Sequence, residues 1–314
     1  MQSLKQLLEK EMDHLINLQH IDKDSNAISS GFPNLDRAIN GFKPKHLYLL
    51  ASKPCTGKTA FLLNIMMHLL VNKTNPIKVL LVSPDISGFE LVKRIISLYS
   101  STEMSKIFDQ IADPEVLENI YVKMDELKDL SNNLLIEDHP ICTIPGLRAQ
   151  IESMEQKPGF IMIDNLDRIT LPEAVDPVTG SILLMEQLKQ IAIDFSVPIL
   201  ITTEVNIDSG EEFQLPNVRH LREKNIFVGE IDVVMFLLRP EYYTDVDNSD
   251  NVEPEDNDDE SDDFMKQFNS SEPIASAFGE AHLRIVHNRF GAFETIRMKC
   301  NMEKQLFEEV NFSD

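Results

Sequence analysis

Basic residues are scarce in this chain. Its 29 Lys and Arg stand against 52 Asp and Glu, for a formal net charge of −23. Phosphate backbones are met by Lys and Arg, so this balance argues against unspecific nucleic-acid binding. The deficit is uneven. Twelve acids lie between Glu241 and Asp263 with no Lys or Arg among them, yet without those twelve the charge is still −11. Cysteine is also rare. Cys55, Cys142 and Cys300 lack the close pairs of a zinc site and fit reduced thiols in a cytoplasmic protein. The opening MQSLKQLLEKEMDHL carries charges through its apolar positions, so no secretory signal is expected. No run of about 18 apolar residues occurs, so no membrane span is expected either. What is present is 314 residues, 42% of them hydrophobic, an ordinary globular composition. That is room for one large α/β domain with appendages or for two small domains.

The first segment, Ser3 to His20, repeats Leu4, Leu7, Leu8, Met12, Leu15 and Ile16 at steps of three and four, the spacing of an amphipathic helix. Its apolar stripe can pack on its own domain or on a neighbouring subunit, and the sequence does not choose. From Leu47 the chain alternates. The apolar runs LYLLAS, KVLLVS, LLIED, FIMID and PILITT read as strands. Between them, TAFLLNIMMHLL, Gly88 to Tyr99, Leu147 to Met154 and Ser181 to Phe195 read as helices. Such alternation predicts right-handed βαβ units and a mostly parallel sheet with helices on both faces. Strands buried on both faces are continuously apolar, as these are. DVVMFLL, HLRIVH and FETIRMKC add strands at one end of the sheet. Tyr243 to Pro273 is acidic and poor in apolar residues, and reads as a disordered loop over 243–273.

Between the first strand and its helix stands Ala51-Ser52-Lys53-Pro54-Cys55-Thr56-Gly57-Lys58-Thr59-Ala60. A turn at that place aims backbone N–H groups and a helix N-terminus at phosphate. Lys58 is expected to reach the β- and γ-phosphates of ATP and Thr59 to ligate Mg²⁺. The full pattern starts with Gly where this chain has Ser52, while Gly57, Lys58 and Thr59 are intact. A magnesium site also needs an acid at the end of a second strand, and Asp164 after Phe160 to Ile163 supplies it.

These residues, in their order, resemble the C-terminal motor domain of DnaB-type replicative helicases. The resemblance starts with Gly31-Phe32, Leu35-Asp36, Gly41, the phosphate loop and Asn64. It continues through Ser83-Pro84-Asp85-Ile86, Phe160 to Asp164, Val197-Pro198 and Glu204-Val205-Asn206. Leu221-Arg222-Glu223, Asp232 to Phe236, Arg239 to Tyr243 and His287-Asn288-Arg289-Phe290-Gly291 complete it, so that it spans about residues 30 to 308. It implies a RecA-like P-loop ATPase over residues 30–314, preceded by a linker helix and connector over 1–29 and standing without the family's N-terminal domain. It further implies an ATP-hydrolysing homo-oligomeric ring of six subunits, with single-stranded DNA in its channel and other replication proteins as partners. Arg289 matches the arginine finger that reaches a neighbour's γ-phosphate. Leu221 to Asp232 matches the DNA-gripping loop, with Arg222, Glu223 and Lys224 at the strand. Three positions depart from the family. Asp85 stands where a catalytic Glu is expected, Glu204 replaces a phosphate-sensing Gln, and His287 replaces a Lys. These departures suggest slow hydrolysis. They also keep open an ATP-gated assembly or regulatory protein.

Overall fold

The computed structural model describes residues 26–72, 74–108, 113–171, 176–206, 215–242 and 279–310. The expected helix at Ser3 to His20 and the acidic segment Tyr243 to Pro273 lie outside them.

The expected alternation is present. Strand β1 (Leu47–Ser52) is followed by helix α2 (Lys58–Val71), and a short helix α1 (Pro33–Ile39) precedes it. Next come β2 (Val79–Val82) and the helices α3 (Gly88–Ser100), α4 (Met104–Phe108) and α5 (Pro114–Leu130). Two strand–helix units follow: β3 (Leu134–Glu137) with α6 (Ile144–Ser153), and β4 (Phe160–Ile163) with α7 (Pro177–Phe195). β5 (Ile199–Glu204) leads through α8 (Val218–Glu223) to β6 (Val233–Leu238). The hairpin β7 (Glu280–Asn288) and β8 (Glu294–Asn301) then runs into β9 (Leu306–Glu309).

Among the described residues these strands form one sheet in the order β3-β2-β4-β5-β1-β6-β7-β8-β9. The first six are parallel and β7 to β9 are antiparallel. β1, β4, β5 and β6 are central and apolar, and Leu47, Leu49 and Leu50 of β1 are wholly buried. Side chains alternate across the pleat. Tyr48 and Leu50 therefore join the layer with α1, α2 and α3, while Leu47, Leu49 and Ala51 join the layer with α6 and α7. Each buried leucine contributes about 1.5–3 kcal/mol by leaving water.

Helix α2 is apolar nearly all round, the signature of a helix enclosed by its neighbours. Phe61 explains how: its ring stacks on Phe32 at 5.1 Å and meets the edge of Phe307 at 5.5 Å. Asn64 completes the enclosure. Its amide donates to the carbonyls of Ala60 and Gln305, both at 2.7 Å, and accepts from the backbone N–H of Phe307. The C-terminal strands are thereby fastened to the helix that carries the phosphate loop. Other helices start where a side chain accepts from the first turn: Ser87 for α3, Asp113 for α5, Thr143 for α6 and Asp176 for α7.

Candidate functional site

In a parallel sheet all strands point one way, so residues just past each strand gather along one edge. Ligands bind in the crevice there. Ser52 ends β1 and pairs in register with Glu204 at the end of β5. Asp164 follows β4, and Asp85 lies three residues past β2. Sequence positions spread over more than a hundred residues thus come to one edge.

The phosphate loop turns through Cys55 at φ 61° and Gly57 at φ 104° into the N-terminus of α2. Gly57 is required twice over. Its backbone is left-handed, and a Cβ there would lie 2.9 Å from Cε of Met302 and 3.2 Å from Phe307. The turn is braced internally by Thr56, whose hydroxyl donates to the Lys53 carbonyl at 2.8 Å. From outside, the Tyr242 hydroxyl donates to the Cys55 carbonyl at 3.2 Å. Pro54 and Cys55 cap the loop at the surface, and Ala60 is buried in the first turn of α2.

Lys58 folds back under this loop. Its ammonium donates to Ser52 Oγ at 3.1 Å and to the Lys53 carbonyl at 3.2 Å, and lies 3.6 Å from Glu204 Oε1. Burial pushes its pKa below the usual lysine value, while the charges of Glu204 and Asp164 pull it back up. Thr59 Oγ donates to Asp164 Oδ2 at 2.7 Å, and Thr202 Oγ donates to Asp164 Oδ1 at 2.6 Å. Burial raises the Asp164 pKa against these two hydrogen bonds. A buried carboxylate facing a hydroxyl, beside a lysine at a helix N-terminus, is a donor set that fits a magnesium nucleotide. Thr59 and Asp164 would hold the metal, and Lys58 and the loop N–H groups the phosphates.

Asp85 is exposed and paired with Arg168 at 3.1 Å. Sequence reasoning does not find Arg168. It belongs to the turn Leu166–Arg168 after β4, where no pattern marks it as part of a site. Thr202 escapes it as well. The only signal for it is a polar threonine pair ending an otherwise apolar strand.

The stretch matched to a DNA-gripping loop begins within a helix, since α8 covers Val218–Glu223 and is capped by Asn217. Arg222 is exposed on it, and Glu223 pairs with Arg219 at 2.9 Å. Lys224 turns inward. Its ammonium donates to Asp167 Oδ1 at 2.6 Å and to the Glu204 carbonyl at 2.7 Å.

Arg289 is not with these groups. Its backbone N–H donates to the Asp232 carbonyl, and the N–H of Asp232 donates to the carbonyl of Leu47, the first residue of β1. Arg289 therefore stands at the opposite edge of the sheet from Ser52, about 17 Å away along five strand steps. Its guanidinium lies 3.4 Å from Asp232 Oδ1 and donates to the Gly229 carbonyl.

A match to the family profile of the DnaB-like helicase C-terminal domain extends over residues 27–309, nearly the whole chain. The chain belongs to this DnaB-like family. The replicative DNA helicase DnaB of Geobacillus stearothermophilus is 27% identical over 262 residues, covering 80% of this chain and 55% of the relative. The chain thus spans about half the length of the DnaB helicases it matches. Among solved structures, an ATPase domain superposes with a TM-score of 0.78 at 22% identity, covering 99% of this chain and all of that one. A DnaB-like replicative helicase, in a study of its interactions with primase, gives 0.76 at 21% identity over 99% of this chain and 68% of that one. At those identities the superpositions show the fold, which is the RecA-like ATPase fold expected from the sequence. No described helix is long and apolar enough to cross a membrane.

Proposed function

We propose that this DnaB-like domain is an ATP-driven motor that hydrolyses ATP at the interfaces of a hexameric ring and grips single-stranded DNA in its channel. One observation carries the reading. Lys58, Thr59 and Asp164 gather at one edge of the sheet, while Arg289 stands at the other. An arginine at that distance cannot serve its own subunit's phosphate loop. It suits a neighbour's loop in a head-to-tail ring, whose heterologous contacts join unlike faces.

In this reading Lys58 and the N–H groups of the loop bind the β- and γ-phosphates and neutralise charge on the transferred phosphoryl group. Mg²⁺ would supply further neutralisation at those oxygens. Asp85 accepts a hydrogen bond from the attacking water and orients it in line. Arg289 of the adjoining subunit stabilises the charge that develops as the terminal bond breaks. Arg222 meets DNA phosphate from the exposed side of α8, and Lys224 joins it only by leaving Asp167.

Two ion pairs favour a slow motor and keep a second reading alive, that of an ATP-gated assembly or regulatory protein. Asp85 is held by Arg168, and Lys58 by Glu204. ATP turnover measured with and without single-stranded DNA separates the two. A motor hydrolyses ATP, is stimulated by DNA, and loses that stimulation as salt rises. Lys58→Ala lowers turnover by about 10²-fold or more. Undiminished turnover in that variant contradicts the assignment of the site, and negligible turnover in the parent chain favours the gated protein.

A further inference from the structure

Lys58 already has a carboxylate partner inside the subunit. Its ammonium is 3.6 Å from Glu204 Oε1, and the two side chains differ sharply in access, 7% exposed for Lys58 and 40% for Glu204. Glu204 stands at the mouth of the site and Lys58 behind it. The main chain of Glu204 is held on both sides. Its N–H donates to Asp167 Oδ2 at 3.1 Å, and its carbonyl accepts from Lys224 at 2.7 Å. Lys224 also bonds Asp167 at 2.6 Å, which closes a small ring around the residue. Glu204 therefore has little freedom to swing its backbone away from Lys58. Asp164 and Asp167 add negative charge around the same ammonium.

We infer that Glu204 sets the nucleotide preference of the site, by giving Lys58 a built-in counter-charge that competes with the terminal phosphate of a nucleoside triphosphate. The inference rests on the nucleotide-site reading above. A diphosphate binds chiefly through the loop N–H groups and the helix N-terminus. A triphosphate adds negative charge where Lys58, Glu204 and Asp164 already converge. Like charges brought together cost affinity, and that cost falls on the triphosphate. Glu204 therefore shifts the balance toward the diphosphate form, and a neutral residue at 204 shifts it back.

The test is equilibrium binding of Mg²⁺-ADP and of a non-hydrolysable Mg²⁺-ATP analogue, by titration calorimetry, to the parent chain, Glu204→Gln and Glu204→Ala. Glu204→Gln keeps the shape of the side chain and Glu204→Ala removes it, and melting temperatures check that both fold. The ratio of analogue affinity to ADP affinity is expected to rise about tenfold or more in both variants. ADP affinity alone is expected to change less than about threefold. An unchanged ratio, a parallel shift of both affinities, or weaker binding of the analogue overturns the inference while leaving the nucleotide site standing. Failure of the parent chain to bind either nucleotide overturns both together.

Discussion

Burial lowers the Lys58 pKa, while the loop carbonyl, Ser52 and Glu204 share its ammonium and the charge of Glu204 opposes the shift. His282 is a second buried titratable group. It sits on β7 opposite Leu238 of β6 and Arg297 of β8, and burial, aided by Arg297, lowers its pKa from 6.5 to about 4. The fold therefore holds a neutral ring, while the unfolded chain takes up a proton below pH 6.5. Stability from this source is complete above pH 6.5 and is lost progressively as pH falls from 6.5 through 4. The loss amounts to about 3 kcal/mol, at 1.36 kcal/mol per pKa unit. The difference in unfolding free energy between the parent and His282→Gln is expected to change by about that amount between pH 7 and pH 4. Parallel pH profiles contradict the assignment. At this scale the sequence disclosed residues that carry their own context. Lys58 and Thr59 follow a Gly in a strand–turn–helix frame, and Asp164 ends an apolar run. Thr202 and Arg168 were not legible, because each acquires its role from a partner far away in the chain.

The elements repeat this division. β1, β2, β4 and β5 were legible because both faces of each are covered, and α2 because it is enclosed, whereas the half-buried edge strand β3 showed only through Leu134, Leu135 and Ile136. Helix α5 was not, since among its 17 residues Ile120 alone is buried and its pattern is mostly polar. β9 has two apolar residues followed by two acids, too few for an apolar run, and α1, at seven residues, is too short for periodicity to speak. α8 overlaps by its last three residues the stretch that the resemblance makes a loop. What joins several elements is Asp232, at the entry to β6. Its carboxylate accepts from the backbone of Leu47 in β1, from Lys189 of α7 and from Arg289 at the end of β7. Asp232 is 3% exposed and Lys189 16%, so removing the acid strands a nearly buried cation. Asp232→Ala is expected to cost about 3 kcal/mol or more in urea unfolding. Glu294→Gln breaks the exposed pair with Arg37 and is expected to cost less than about 1 kcal/mol. Equal effects of the two substitutions contradict this account of what ties the sheet to α7.

At the scale of the whole molecule, the sheet has two chemically distinct edges. Its carboxyl edge carries the groups suited to bind a magnesium nucleotide, and its other edge carries Arg289. In the proposed reading neither set is sufficient alone, and activity belongs to the contact between subunits. The most direct measurement mixes two inactive chains, Lys58→Ala and Arg289→Ala, and follows ATP turnover in reassembled rings. Each variant alone is expected to be nearly inactive. In a random one-to-one mixture about a quarter of the interfaces join an intact Lys58 to an intact Arg289, and turnover should recover to about that fraction of the parent's. Recovery of that size is the predicted result. A mixture no more active than its parts, or full turnover by Arg289→Ala on its own, contradicts a site shared between subunits.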